Sequence, residues 1–249
     1  MSSLSFSPRI PVIDANVCVG NHYTGPSPCQ SQAQLIDEMG YHGIDRAVIY
    51  HAQTEEISPT DGNRLLDDWL DEGGRLIPQW SVTPTTDSLT QIQAMHHEGR
   101  VRSVRLHNAQ SAGLPFRSWG YDNLLSWLSE AGIPLWIPLT DVDPHDLITT
   151  LQAYPDLKTV LLGAHYTHAL VIRPMLDSLA NASLELSRYE PIGEVESLKR
   201  KFGASRLIYG SWYPRYAMGP ILFYLHHTDL NEDELRMVCA GNVERILGI

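Results

Sequence analysis

The sequence predicts one α/β domain, a (β/α)8 barrel that spans residues 1–249. It does so because β-rich stretches alternate with amphipathic helical stretches, and eight candidates of each kind can be listed. The length fits one such barrel, and no low-complexity segment or linker divides the chain. An open doubly wound sheet is the alternative, but the glycine-rich phosphate loop that often follows a strand of such a sheet is missing.

Each strand candidate is a short run rich in β-branched or other apolar residues. In chain order the candidates are residues 10–19, 46–51, 76–82, 101–107, 133–139, 159–163, 183–187 and 207–210. Because such barrels carry their chemistry at the C-terminal ends of the strands, residues near those ends are candidate site positions.

The helical candidates have apolar residues at three- and four-residue spacing, which gives each of them one face to bury. They are residues 31–39, 61–72, 121–131, 144–154, 175–179, 192–202, 214–225 and 231–247. The last begins with the pattern of a capping box, in which Asn231 is the N-cap and Glu234 its partner three residues on.

The charge balance narrows the class of partner. The chain has 18 Lys and Arg against 29 Asp and Glu, a net charge of −11 with histidine neutral. This argues against binding to nucleic acid or to anionic membranes, because phosphate contacts need an excess of Lys and Arg. We see no secretory leader and no apolar run of membrane-spanning length. The three scattered cysteines, Cys18, Cys29 and Cys239, favour a reducing compartment, so we expect a cytoplasmic protein.

Strand alternation selects the side chains that face the barrel interior. The polar residues it selects are Asp14, Asn16 and Cys18 on the first strand, Arg105 and His107 on the fourth, and Glu185 and Ser187 on the seventh. The intervening residues Val104, Leu106, Leu184 and Leu186 are predicted to pack outward against the helices. Charged groups inside a barrel must be paired or solvated by a site, so the inward group marks the candidate site.

Six segments, in order along nearly the whole chain, match the motifs of one family. They are residues 13–20 (Ile-Asp-Ala-Asn-Val-Cys-Val-Gly), 43–48, 133–138, 154–165, 210–214 (Gly-Ser-Trp-Tyr-Pro) and 241–247 (Gly-Asn-Val-Glu-Arg-Ile-Leu). Each motif alone is weak, but six in the correct order are specific. The chain therefore resembles the amidohydrolase-related family, which includes aminocarboxymuconate-semialdehyde decarboxylase and various lactonases. The resemblance implies the same (β/α)8 barrel.

Members of that family hold a divalent metal through two histidines of the first motif, an eighth-strand aspartate and usually a fifth-strand histidine. The matching residues here are Asn16, Cys18, Trp212 and Pro138, and only the sixth-strand histidine, His165, is retained. An indole cannot ligate a metal, and proline has no side-chain donor atom. We therefore expect no metal cofactor; Zn²⁺ or Mn²⁺ bound through Cys18, His165 and Asn16 is the alternative.

The resemblance assigns His165 as the catalytic residue, a general base that activates water. The residues predicted to bind substrate are Arg105, His107, His51, Trp212, Tyr213, Asn16 and Arg188. Arg105 suits a substrate carboxylate, and an internal ion pair with Asp14 or Glu185 is the alternative. Cys18 is either a nucleophile with His165 as its base or a small buried residue. Trp212 and Tyr213 either stack on a planar ligand or fill the former metal pocket.

Three functions are consistent with these residues. The first is a metal-independent, lactonase-type hydrolase of a small carboxylated substrate at the C-terminal mouth of the barrel. The second is an inactive relative that binds a small ligand or a protein partner, and the third is a divalent-metal hydrolase or decarboxylase with rearranged ligands. The partner expected in the first case is a small molecule. We also expect a homodimer, because barrels of this kind often form dimers.

Overall fold

Parallel strands close into a barrel in the computed structural model, which describes residues 6–70, 73–107 and 113–249. The strands are β1 (Ile13–Val19), β2 (Arg46–His51), β3 (Leu76–Pro78), β4 (Trp80–Val82), β5 (Val104–Leu106), β6 (Leu135–Pro138), β7 (Thr159–Leu162), β8 (Ala182–Glu185) and β9 (Leu207–Ile208). Only Gln79 separates β3 from β4, and its N–H donates to the Ile49 carbonyl at 2.8 Å, so the two segments form one barrel strand. The ring closes where the N–H of Ala15 donates to the Tyr209 carbonyl at 3.2 Å. The predicted eight-stranded barrel is confirmed.

Helices follow the strands and cover the barrel. They are α1 (Gln32–Tyr41), α2 (Gln53–Glu56), α3 (Pro59–Leu66), α4 (Thr86–His97), α5 (Ser118–Ala131), α6 (Pro144–Leu151), α7 (Ala169–Ser178), α8 (Glu194–Phe202), α9 (Gly219–Leu225), α10 (Glu232–Arg236) and α11 (Asn242–Leu247). The capping box of Asn231 and Glu234 at α10 is confirmed. In the described part of the chain, every helix falls short of the length and apolar character that a membrane crossing needs.

Several helix predictions differ from the structure; among them, the helix predicted over 175–179 begins at Ala169, and the one predicted over 231–247 is interrupted by a π-helical turn at Met237–Gly241. The sequence prediction placed no helix between the third and fourth strands, where α4 lies, because polar residues interrupt its apolar spacing. The helix predicted over 61–72 ends earlier, in a 3₁₀ turn at Asp67–Trp69, and residues 71 and 72 lie outside the described residues. The helix predicted from Pro214 begins at Gly219.

Two apolar layers hold the barrel. The outer layer joins strand residues such as Val104, Leu106, Leu184 and Leu186 to the helices, so their predicted outward direction is confirmed. The inner layer contains Ile13, Ala15, Val48, Trp136 and Val160, among others.

One prediction for the barrel interior is wrong. The register of β1 shifts between Asp14 and Val17, so alternation does not run unbroken through the strand. Asp14 pairs with Ala47, which packs in the outer layer, and Oδ1 of Asp14 accepts the N–H of Ser211 at 2.9 Å. Asp14 therefore lies on the helix side of the wall, and it does not share the inner face of Asn16 and Cys18.

Candidate functional site

A cavity of about 540 Å³ opens at the C-terminal ends of β1, β2 and the eighth barrel strand. Its walls are the loop after β1, the short helix α2 and the segment that follows β9. Its lining includes the side chains of Cys18, His22, Tyr23, Tyr50, Glu55, Glu56, Trp212 and Arg215. Because the C-terminal mouth is where barrels of this kind carry their chemistry, the cavity is the candidate active site.

Cys18, His22 and Glu56 form a chain of contacts on one wall of the cavity. The Sγ of Cys18 lies 3.7 Å from Nε2 of His22, and Nδ1 of His22 lies 2.9 Å from Oε1 of Glu56. The other carboxylate oxygen accepts the N–H of Tyr23 at 2.8 Å, so both oxygens of Glu56 are held. A carboxylate on Nδ1 fixes the tautomer that leaves Nε2 able to accept a proton. This is the arrangement of a nucleophile, a base and a group that orients the base.

Burial determines the resting state of the thiol. Cys18 is 3% exposed although it lines the cavity, and its surroundings include the carboxylate of Glu55. Burial first, and the negative charge of Glu55 second, raise the pKa of the Cys18 thiol well above its ordinary value. The sulfur is therefore protonated at neutral pH, and it becomes a thiolate only by passing its proton to a neighbour.

Trp212 forms part of the cavity wall in a strained conformation. Its φ is +56°, in the left-handed region that non-glycine residues rarely adopt, and such strain is concentrated at functional sites. The indole packs on Gly163, where a Cβ would lie 2.3 Å from the ring, so a larger residue would displace it. Its Nε1 donates to the hydroxyl of Tyr50 at 3.1 Å, and the guanidinium of Arg215 lies 4.7 Å from a ring centroid.

Arg105 lies behind the cavity wall. It is 1% exposed, and its guanidinium lies 3.8 Å from the ring centroid of Tyr50. Its Nη1 donates to Oδ1 of Asn16 at 3.1 Å, and its Nη2 donates to Oε1 of Glu55 at 3.4 Å. The internal ion pair that the sequence left open is thus present. Its carboxylate is Glu55, however, in place of Asp14 or Glu185.

Asn16 connects Arg105 to a buried carboxylate. Its Nδ2 donates to Oε2 of Glu185 at 3.3 Å, and the same oxygen accepts the N–H of Gly163 at 2.9 Å and the hydroxyl of Ser187 at 3.0 Å. Burial raises the pKa of Glu185 to about 7, although these donors act in the opposite direction. The Gly210 backbone approaches so closely that a Cβ there would lie 2.2 Å from Oε1 of Glu185.

His165 and Arg188, two predicted site residues, are not among the residues that line the cavity. The Nδ1 of His165 lies 3.0 Å from the hydroxyl oxygen of Thr167 in its own turn, and its ring stacks on Tyr166. The guanidinium of Arg188 lies 4.3 Å from the ring centroid of Tyr216. The structure places His22, not His165, beside Cys18. A catalytic role for His165 remains a prediction.

Three other predicted substrate-binding residues also lie outside the cavity lining. His51 points to the opposite face of β2 from Tyr50, and its Nδ1 accepts the N–H of Gln53 at 3.2 Å. His107 follows β5, and burial lowers its pKa. The hydroxyl of Tyr213 lies in the core, 3.2 Å from Sγ of Cys29, so Trp212 alone of this aromatic pair faces the cavity.

The sequence analysis missed His22, Tyr50, Glu55, Glu56 and Arg215. His22 follows Cys18 by four residues in the loop after β1, and the two glutamates follow β2 on the short helix α2. These three residues could have been found from their position just beyond a strand end, where the sites of such barrels form. Tyr50 could have been found as the inward neighbour of His51, but the histidine was the more conspicuous candidate.

Comparisons with known proteins agree with this architecture. The family model described as Amidohydrolase matches residues 27–249, a span that begins after β1, Cys18 and His22. An uncharacterized TIM-barrel protein from Bordetella bronchiseptica superposes with a TM-score of 0.76 at 18% identity, over 96% of this chain and 99% of that one. The 5-carboxyvanillate decarboxylase of Sphingomonas paucimobilis gives 0.70 at 14% identity, over 96% and 99% of the two chains.

A further 5-carboxyvanillate decarboxylase, from Novosphingobium aromaticivorans with bound manganese, gives a TM-score of 0.73 at 14% identity, over 97% of this chain and 98% of that one. No curated protein sequence matches the chain. At these identities the solved structures establish the shared fold.

Proposed function

This chain belongs to the amidohydrolase family, and we propose that it is a metal-independent hydrolase of a small carboxylated ester or lactone. The observation that supports the proposal is the hydrogen-bonded pair of His22 and Glu56 on the cavity wall, 2.9 Å apart. An imidazole oriented by a carboxylate is a general base, and Nε2 of His22 is the atom that takes the proton.

Three of the four residues at the family's metal-ligand positions do not fit a divalent cation, and Cys18 is the one with a suitable ligand atom. Asn16 turns its Oδ1 toward the guanidinium of Arg105 at 3.1 Å, and that positive charge opposes a second cation. The Nε1 of Trp212 is a donor only, and Pro138 has no ligand atom in its side chain. Within residues 6–70, 73–107 and 113–249, no three His, Cys, Asp or Glu side chains are grouped so that they could hold a metal. The proposed reaction therefore uses protein groups alone.

The cavity suits a small molecule with one negative charge. Its volume of about 540 Å³ is in the range of small-ligand sites. The carboxylates of Glu55 and Glu56 are engaged by Arg105 and His22. The guanidinium of Arg215, held over the Trp212 ring, is then the group on the wall that pairs with a substrate carboxylate. This transfers to Arg215 the role that the sequence suggested for Arg105.

We also propose a cytoplasmic location. Cys18, Cys29 and Cys239 are all free thiols in the structure, and this usage is typical of a reducing compartment.

The test is hydrolysis of a panel of lactones and aryl esters, with and without a carboxylate, by protein treated with a chelator and checked for metal by plasma emission. We expect turnover to survive chelation and to favour the carboxylated members. Glu56→Gln should lower kcat/KM about 10²-fold or more, because the base loses its orienting charge. Activity that is lost with a chelator and restored by Zn²⁺ or Mn²⁺ would identify a metal enzyme. Binding of the product acid without turnover would identify an inactive relative.

A further inference from the structure

The geometry assigns Cys18 as a covalent nucleophile, so that hydrolysis proceeds through a thioester on its sulfur. This inference rests on the proposed hydrolase function and adds the identity of the attacking atom. The alternative within that function is direct attack by a water molecule that His22 activates.

Position separates Cys18 from the other two thiols. Cys18 lines the cavity with its sulfur 3.7 Å from Nε2 of His22. Cys29 lies against the hydroxyl of Tyr213 in the core, and Cys239 is completely buried under the helices. Cys18 is therefore the thiol that has both access to a ligand and a base within reach.

The base next to the sulfur is itself held in place. Nδ1 of His22 meets Oε1 of Glu56 at 2.9 Å, and the N–H of Tyr23 fixes the second oxygen at 2.8 Å. Glu56 comes from α2, 34 residues away from His22, so tertiary structure and not local sequence completes the triad. This is the relation of nucleophile, base and orienting group that activates a weak nucleophile.

The covalent step balances with protein groups and water alone. The thiol proton moves to Nε2 of His22 while the sulfur attacks the acyl carbon, and a C–S bond forms as the C–O bond to the alcohol breaks. The departing alkoxide takes the proton from the imidazolium. Water, deprotonated by the same nitrogen, then attacks the thioester, the C–S bond breaks, and the leaving thiolate takes that proton back from the His22 imidazolium. The products are the acid and the alcohol, with no change in oxidation state.

A hydroxyl on the same wall can stabilise the oxyanion of this step. Tyr50 belongs to the small cluster that contains Cys18, and its oxygen accepts the Trp212 Nε1–H at 3.1 Å. Its own proton points to the Cys18 sulfur, where the hydrogen bond favours the thiolate, and it can turn to the developing negative charge on the acyl oxygen as the C–S bond forms. The guanidinium of Arg105, stacked on the Tyr50 ring at 3.8 Å, holds that ring in position.

The test uses p-nitrophenyl acetate as the acylating probe and compares wild type with Cys18→Ala, Cys18→Ser and the matched control Cys29→Ser. We expect a burst of nitrophenolate in wild type and one acetyl group on the Cys18 peptide by mass spectrometry. Both Cys18 variants should lose the burst and turn over on the order of 10³-fold more slowly, while Cys29→Ser should keep both. Circular dichroism and thermal unfolding identify any variant that does not fold, and the second Cys18 variant then decides.

The failures of the two proposals are distinguishable. If Cys18→Ala retains wild-type turnover while His22→Ala does not, His22 acts on water, so the nucleophile is wrong and the hydrolase function stands. If wild type becomes acetylated on Cys18 but does not turn over any ester or lactone, the nucleophile stands and the hydrolase function fails. If the probe acetylates neither Cys18 nor any other residue and no burst is seen, the inference is overturned.

Discussion

The two sides of the barrel mouth carry the same kinds of residue and differ in how those residues are held. On one side, His22 is oriented by Glu56 and touches Cys18 in a cavity. On the other side, His165 bonds to Thr167 within its own turn, and Arg188 stacks on Tyr216. His22 makes tertiary contacts with Cys18 and Glu56, whereas His165 is the partly exposed N-cap of a 3₁₀ turn. The contacts around His22 favour it as the base, whereas His165 is supported by its retention at a family position.

Alanine variants of the two histidines should differ strongly in activity. His22→Ala should lower kcat/KM for a carboxylated ester by about 10²–10⁴-fold, because the general base is removed. His165→Ala should change it only a few-fold, since that side chain does not line the cavity. The measurement is initial-rate kinetics on both variants at matched folded fractions. A larger loss in His165→Ala than in His22→Ala would identify His165 as the base and would give the contacts of His22 a structural role only.

The second test compares the two arginines by stability. Arg105→Met keeps volume but removes a fully buried charge from Asn16, Glu55 and the Tyr50 ring, and we expect a loss of about 3 kcal/mol. Arg188→Met removes one stacking contact on Tyr216, and we expect a loss of about 1 kcal/mol or less. Urea unfolding followed by circular dichroism measures both. Equal losses would mean that the buried contacts of Arg105 stabilise the fold no more than the contact of Arg188 with Tyr216.

The sequence was sufficient to predict the barrel and to select Cys18, His165 and Arg188, but not His22 and Glu56. The alternation of Val104, Leu106, Leu184 and Leu186 sets the outer layer directly, so the fold followed from local periodicity. The register shift in β1 could not be predicted from this alternation, because it depends on the neighbouring strand. The shift places Asp14 outside the barrel interior. The relay from His22 to Glu56 spans 34 residues and has no local spacing to reveal it.

The third test concerns the carboxylate beneath the cavity. Burial raises the pKa of Glu185 from 4.5 to about 7, so the folded state binds a proton that the unfolded state releases. Its contribution to the free energy of unfolding therefore falls as pH rises from about 4.5 to about 7, by about 3 kcal/mol. Relative to Glu185→Gln, wild type should lose stability over this window and remain level above it. Chemical unfolding of both proteins between pH 5 and 8 measures the difference, and a constant difference would place the titration elsewhere.

Kinetics with charged and neutral esters can identify the anion-binding group. Arg215 lies on the cavity wall over Trp212, whereas Arg105 is turned inward to Glu55 and Asn16. Arg215→Met should raise KM for a carboxylated ester about 10-fold and leave kcat nearly unchanged, because ground state and transition state lose the same ion pair. The matched neutral ester should show no change in KM, so the ratio of the two KM values is the readout. An equal rise for both esters would mean that Arg215 shapes the cavity without pairing with the substrate.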